Sequence, residues 1–291
     1  MKRLSVIVIF SLLLSLLSGC GSQENSADIV ATTLPVYQFT SLLCQGTDLQ
    51  IRQLVTESVS CLHDYALSVE QVKAVEQASL VILSGAGLED FMADILHAKP
   101  QVDASVGISL LESCHEHDEE SHHHHHEADA HIWLSPANAM IMAENICNGL
   151  IRQYPQQEHL FRENLTVLLN RLQDLQNYGM QRLSQLSCRD MITFHDGFAY
   201  FAQSFDLHIL SAVEEESGSE ASAQELIRLI ELVRHHQLPA LFTETNGADS
   251  AAKIIAAETH IPIYTLNMAM AGNDYFAAMY HNIDTIKEAM G

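Results

Sequence analysis

The chain reads as an α/β protein of two lobes, each a parallel sheet covered by helices, joined by a long rigid helix. Three observations predict this. Short apolar runs alternate with amphipathic ones over residues 28–97 and again from residue 191 onward, the pattern of parallel strands joined by helical crossovers. The links between the runs are short. Between the two segments, residues 156–186 hold no proline and one glycine, Gly179, with Phe161, Leu165, Leu168, Leu172, Leu175, Leu183 and Leu186 on a 3–4 spacing. A helix of that length runs about 45 Å. A coiled coil is the alternative, but an α/β segment on each side favours a spine between lobes.

Element by element, 28–33 reads as a strand, and 35–44 as a helix opened by proline. Residues 49–55 form a second strand. Ser68 is a capping-type start for an amphipathic helix to Gln77, and 80–83 is an apolar strand ending at Ser-Gly-Ala-Gly. Residues 88–97 read as a helix. From 112 to 129 the sequence is histidine and carboxylate with almost nothing apolar, the signature of a solvated loop. Regular structure resumes at Ile132, and Pro136 opens a helix to about Gln153. The second segment has strands at 191–194, 207–211, 240–243 and 263–266, with helices from Gly197, Ser222, Ala248 and Asp274. The lobes are therefore 28–153 and 188–291, with the linker helix across 154–187.

Residues 1–19 read as a signal peptide. Lys2 and Arg3 precede a short apolar run over 4–17, and about 14 positions are too few for a bilayer, which needs roughly 20. The Leu17-Ser18-Gly19-Cys20 end is similar to the bacterial lipobox and implies cleavage before Cys20 and a diacylglyceryl thioether on its sulfur. Residues 20–27 then form a flexible tether. Loss of Lys2 and Arg3 takes the net charge from −23 to −25. Charge of that sign repels nucleic acid and concentrates cations. Five cysteines remain, an odd number with no CxxC spacing. A bridge from Cys44 to Cys61, which enclose a short loop, is the pairing to test first.

Ligands of open parallel sheets bind beyond the carboxyl ends of strands. Metal-competent side chains there are His63 after the second strand, His131 after the acidic loop, His195 ending an apolar strand, and Glu244 ending the next strand but one. Three neutral imidazoles and one further donor suit tetrahedral zinc. Affinity should fall below about pH 6, where protons compete for the imidazole lone pairs. His115, His117 and His122, His123, His124, His125 and His126 form a second, looser set in the acidic loop, a low-affinity metal reservoir or else a pH sensor or inert spacer.

The segments His63-Asp64-Tyr65, HIWLSP from His131, TFHDGFAYFA from Thr193, FTE to Glu244, and IPIY near the end resemble the cluster A-I metal-binding subunits of ABC importers, close to the high-affinity zinc-binding branch. The resemblance covers essentially the whole mature chain. It implies metal in the cleft between two lobes linked by a rigid helix, with His63, His131 and His195 as ligands. It also implies a membrane permease with its ATPase as partners, and attachment at the outer face of the cytoplasmic membrane. The expected state is a monomer. Manganese-carrying members tend to have a carboxylate where this chain has His195, so zinc is favoured over Mn2+. Where the family has an aspartate after the last strand, this chain has Asn267; Glu244, a water or a shifted carboxylate could then complete the shell.

Enzyme signatures are missing: no GxSxG, Walker-type loop, GxGxxG or HExxH occurs. The other readings are a zinc-dependent hydrolase, with Asp196 or Glu244 as base, and a surface adhesin.

Overall fold

The computed structural model describes residues 27–57, 62, 65–112, 128–213, 221–245, 247–270, 272 and 274–291. The first lobe opens with β1 (Ile29–Ala31), α1 (Leu34–Leu43), β2 (Ile51–Gln53), α2 (Val69–Gln77) and β3 (Leu80–Leu83). A 3-10 turn at Asp90–Met92, α3 (Ala93–Leu96) and β4 (Gln101–Asp103) follow, then α4 (Pro136–Gln153) after a second 3-10 turn at Ile132–Leu134. The spine is α5 (Glu158–Arg182). The second lobe contains β5 (Asp190–Thr193), α6 (Ala199–Ser204), β6 (His208–Ala212), α7 (Ala223–His236), β7 (Leu241–Glu244), α8 (Ser250–Thr259), β8 (Ile263–Leu266) and α9 (Tyr275–Met290).

Both sheets are parallel throughout, in the orders β2-β1-β3-β4 and β6-β5-β7-β8. Each therefore reverses direction of winding beside its first strand, between β1 and β3 and between β5 and β7. Those two crevices are where doubly wound sheets place ligands. The local chemistry explains the elements. Ser68 accepts from Gln71 N while the Gln71 side chain returns to Ser68 N, a complete capping box that starts α2. Ser135, Ser222 and Asp274 cap α4, α7 and α9 in the same sense, each accepting from the amide three residues on.

Two expectations are corrected. The spine is 25 residues, about 37 Å, rather than 31. Proline starts a 3-10 turn at Pro155–Gln157 before it. At the far end Leu183 N returns to Gly179 O and Ser184 Oγ donates to Gln181 O, which closes the helix early. Residues 88–97 form the 3-10 turn and a single α turn instead of one helix. The strand β4 was not anticipated; its alternation is only exposed–buried–exposed, with Val102 the one inward residue.

Packing makes the two lobes one body. A single apolar core runs from Ile29, Phe39 and Ile82 through Phe161, Leu168, Leu172 and Leu175 of the spine to Met191, Tyr200, Phe242 and Ile283. Separate small cores lie on the outer sheet faces, Val30, Val75 and Val81 in one lobe and Ile192, Leu229 and Ile255 in the other. The C-terminal helix α9 ties the lobes together. Asp284 accepts from Tyr178 Oη at 2.7 Å and Arg182 Nε at 2.9 Å on the spine, and Tyr275 N donates to Gln38 Oε1 of α1 at 2.6 Å. The spine is thus packed on both sides and not a coiled-coil seam.

Cys44 is a free thiol in this core, as is Cys147, so the expected Cys44–Cys61 bridge is not formed. Cys44 closes α1 and its side chain turns inward, where burial and the neighbouring Cys147 push its pKa up to about 12. Such a thiol is unreactive. Among the described residues no helix is long and apolar enough to cross a membrane. The signal peptide, Cys20, Cys61 and Cys114 lie outside the described residues.

Candidate metal site

The seam between the lobes is assembled from residues far apart in sequence. Trp133, fully buried in the 3-10 turn of the first lobe, donates its Nε1–H to Met268 O of the second at 2.7 Å. Tyr275 Oη donates to Trp133 O at 2.7 Å, closing the turn from the other side. This fixes the backbone two residues beyond His131. From the opposite lobe, β5 delivers His195 just past its end, and β7 delivers Glu244 as its last residue. Both stand at the β5/β7 crevice, as the switch-point rule requires.

The result is a pair of imidazoles facing each other across the seam. His131 Nε2 and His195 Nε2 are 3.4 Å apart, with the rings nearly perpendicular at 88°. Each ring has a carboxylate on its other nitrogen. Asp129 Oδ1 lies 2.8 Å from His131 Nδ1 and also accepts from His131 N at 2.8 Å. Glu244 Oε2 lies 3.8 Å from His195 Nδ1, an ion-pair distance rather than a hydrogen bond. All four side chains are at least 89% buried, His131 being the most exposed at 11%.

A glycine makes the approach possible. A Cβ on Gly197 would stand 2.4 Å from Met268 Cε, 2.8 Å from His195 Cδ2 and 3.0 Å from His131 Nδ1. Only a residue without a side chain lets the loops of both lobes reach the two rings.

The spacing of the pair has a chemical meaning. Nitrogens bound to zinc at 2.0–2.1 Å in a tetrahedron stand about 3.3–3.4 Å apart along an edge. The two Nε2 atoms already have that separation. His131 Nδ1 lies against Asp129 and its Nε2 is the nitrogen turned to the seam, the arrangement in which a carboxylate orients a metal-binding imidazole from behind.

Of the residues singled out by sequence, His131, His195 and Glu244 converge here. Glu244 approaches from behind His195, on the nitrogen that faces away from His131. Asn267 is near the seam, but its Oδ1 accepts from Ala269 N at 2.7 Å and its backbone is paired with Asn282 in both directions at 2.7 Å. It serves as a turn residue. His63 and the seven loop histidines lie outside the described residues, and among the described residues no three His, Cys, Asp or Glu side chains are arranged to hold a metal. Sequence reasoning missed Asp129 and Gly197. The first carries no signal of its own within an acidic stretch, and the second stood in plain view as the glycine of His-Asp-Gly.

Two parallel-sheet lobes, a shared helical spine and imidazoles meeting across the seam define a metal-binding solute-binding protein of the cluster A-I type. The chain belongs to the family described as zinc-uptake complex component A, periplasmic (ZnuA), whose model matches residues 29–289. It is 27% identical to the zinc-binding lipoprotein AdcA of Streptococcus pneumoniae (strain ATCC BAA-255 / R6), over 99% of this chain and 61% of that protein. It is 26% identical to a putative metal-binding protein of Treponema pallidum (strain Nichols), over 99% of this chain and 97% of that one. Among solved structures, a crystal structure of ZnuA is 28% identical with a TM-score of 0.78, covering 92% of this chain and 100% of that one. The chain spans about 61% of the length of the AdcA protein it matches.

Replacement of Gly197 by alanine is expected to weaken zinc binding at least about tenfold, the scale of losses when a ligand's support is disturbed. The far-UV spectrum should be unchanged, since Met268 can yield but the two rings cannot. Competition against a chromogenic chelator measures the loss.

Proposed function

We propose that the protein is the extracytoplasmic zinc-capturing subunit of an ABC-type importer, with no catalytic activity of its own. The observation that carries this reading is the 3.4 Å separation of the His131 and His195 Nε2 atoms, which equals the edge of a tetrahedral zinc site. His63 is the third ligand in this proposal. Glu244 remains the candidate for the fourth position, although it lies on the Nδ1 side of His195. If Glu244 does not bind the metal, a water completes the shell.

In this proposal residues 28–153 and 188–291 are the two lobes and 154–187 the linker. Residues 1–19 are removed on export and Cys20 carries the lipid that holds the protein at the outer face of the cytoplasmic membrane. The protein acts as a monomer and passes its cargo to a membrane permease driven by a cytoplasmic ATPase. The histidines at 115, 117 and 122–126 hold further zinc loosely beside the cleft. The large continuous core shared by both lobes argues that loading adjusts loops at the seam more than it moves lobes.

Calorimetric titration of a protein lacking residues 113–127 tests the reading. One zinc per chain should bind with at least about tenfold preference over Mn2+, as expected for imidazole in place of hard oxygen donors. The single tryptophan is a second readout, because the rings of Trp133 and His131 are 5.4 Å apart between centroids. Its emission should change and saturate at one equivalent. A titration with no stoichiometric step, or an equal response to both metals, would count against zinc capture.

A further inference from the structure

The backbone around His131 is held by a residue of the other lobe. Tyr200, on α6 and 1% exposed, places its hydroxyl between two strands of chain at the root of the segment 113–127. The hydroxyl donates to Asp129 O at 2.9 Å and accepts from Leu111 N at 2.9 Å. Beside it Asp129 N donates to Leu111 O at 2.9 Å, and Glu112 pairs with Ala128 in an antiparallel bridge. The root of the histidine-rich segment is therefore cinched shut. Asp129, held in that clasp, then turns its carboxylate onto His131, taking both the backbone N–H and Nδ1 on Oδ1. Its Oδ2 is buried and has no hydrogen-bond partner among the described residues.

We propose that Asp129 and Tyr200 are positioning residues for His131: Tyr200 reaches across the seam to fix the Asp129 backbone, and Asp129 fixes the His131 ring with its proton on Nδ1. Nε2 is then left as a lone pair aimed at His195. The proposal rests on the zinc-capture reading and adds a mechanism to it. A ring held only by its own χ angles would sample both tautomers and several orientations, and each misplaced state lowers apparent affinity. A carboxylate hydrogen-bonded to the far nitrogen of a metal-binding histidine removes that freedom and makes the near nitrogen more basic. The negative charge kept behind the ring also favours a cation in front of it. Because half of the clasp comes from the second lobe, His131 is aligned only when the lobes are docked. The site is thereby made conditional on the seam.

The test compares Asp129→Ala, Asp129→Asn, Tyr200→Phe and His131→Ala in the full mature chain. Zinc affinity should fall about 10–100-fold in Asp129→Ala, and Asp129→Asn, which keeps an oxygen to accept the Nδ1 proton, should recover part of the loss. Tyr200→Phe, which keeps the ring and removes two hydrogen bonds, should cost about 3–10-fold. Long-range proton–nitrogen NMR of the metal-free wild type should find His131 protonated on Nδ1, and Asp129→Ala should shift it toward the Nε2–H tautomer. A purely structural aspartate would not move that signature. An Nε2–H tautomer in the wild type overturns the proposal even if the variants fold poorly. So does wild-type affinity in Asp129→Ala where His131→Ala has lost binding. Unchanged zinc binding in His131→Ala would instead overturn the zinc-capture reading beneath it.

Discussion

Replacing either His131 or His195 by alanine is expected to lower zinc affinity by more than about 100-fold, because loss of a supporting residue alone costs 10–100-fold and a ligand must cost more. The two variants should give similar losses, and the double variant little beyond either one. In the proposed site each imidazole supplies one corner of the same tetrahedron, so the remaining nitrogen alone would retain little of the chelate. Stability should respond differently. His131→Ala leaves Asp129 buried with Oδ1 accepting only from the backbone N–H of residue 131, and His195→Ala leaves Glu244 without the ring beside it. A buried carboxylate stripped of a partner costs about 1–3 kcal/mol, so the metal-free variants should melt a few degrees lower yet remain folded. Their protection by saturating zinc should be small, whereas wild type gains about 4 kcal/mol at a thousandfold excess over its dissociation constant. Differential scanning calorimetry with and without zinc separates the two effects. If both variants keep wild-type protection, the site lies elsewhere.

Much of the scaffold was legible because its signals are local. Strand β3 is four consecutive apolar residues, and it is buried at all four positions. Ser68, Ser222 and Asp274 stand where their helices start because the cap is chosen by the side chain itself. What was hidden depends on tertiary partners. Val102 is the only inward residue of β4, too little periodicity to register. The short turn at Asp90–Met92 follows from Gly85 and Gly87, whose φ of +84° breaks the approach to a helix. In the site, His131 and His195 were visible as histidines at element ends, 64 residues apart in sequence. Asp129 was not, since an acidic residue in an acidic loop carries no signal until the fold buries it. Tyr200 stood inside a recognised motif, but its role requires Leu111 and Asp129 to be beside it. Glu244 was legible as the last residue of its strand, where the sheet ends at the crevice. Its direction, toward Nδ1 of His195, could only come from three dimensions.

Glu89 gives the largest expected effect on stability, and its side chain sits in the first lobe's own crevice. Its carboxylate is buried at the carboxyl ends of β1 and β3. Oε1 accepts from Thr32 Oγ1 at 2.5 Å and Ser84 N at 2.7 Å, and Oε2 accepts from Gly85 N at 3.0 Å. Gly85, at positive φ, gives the turn that aims its amide inward, and any Cβ there would strike Asp103. The β1/β3 switch point is thus filled by the protein's own carboxyl group. Glu89→Ala should cost about 3–5 kcal/mol, because two amides and a hydroxyl lose their acceptor in the interior. Burial, the dominant influence, raises the carboxyl pKa from 4.5 to about 7 against the hydrogen bonds that lower it. The folded state then binds the proton more tightly than the unfolded chain. That contribution to stability is complete below about pH 4.5 and is lost as pH rises through 7, a change of up to about 3 kcal/mol. Glu89→Gln cannot ionise, so it should be less stable than wild type near pH 5, where its amide group opposes the Gly85 N–H, and the difference should narrow toward pH 8. Urea unfolding of both proteins between pH 4.5 and 8 measures the slopes. Parallel slopes would mean that the three donors outweigh burial and keep Glu89 ionised throughout, so that the crevice carries a permanent charge beside Asp103.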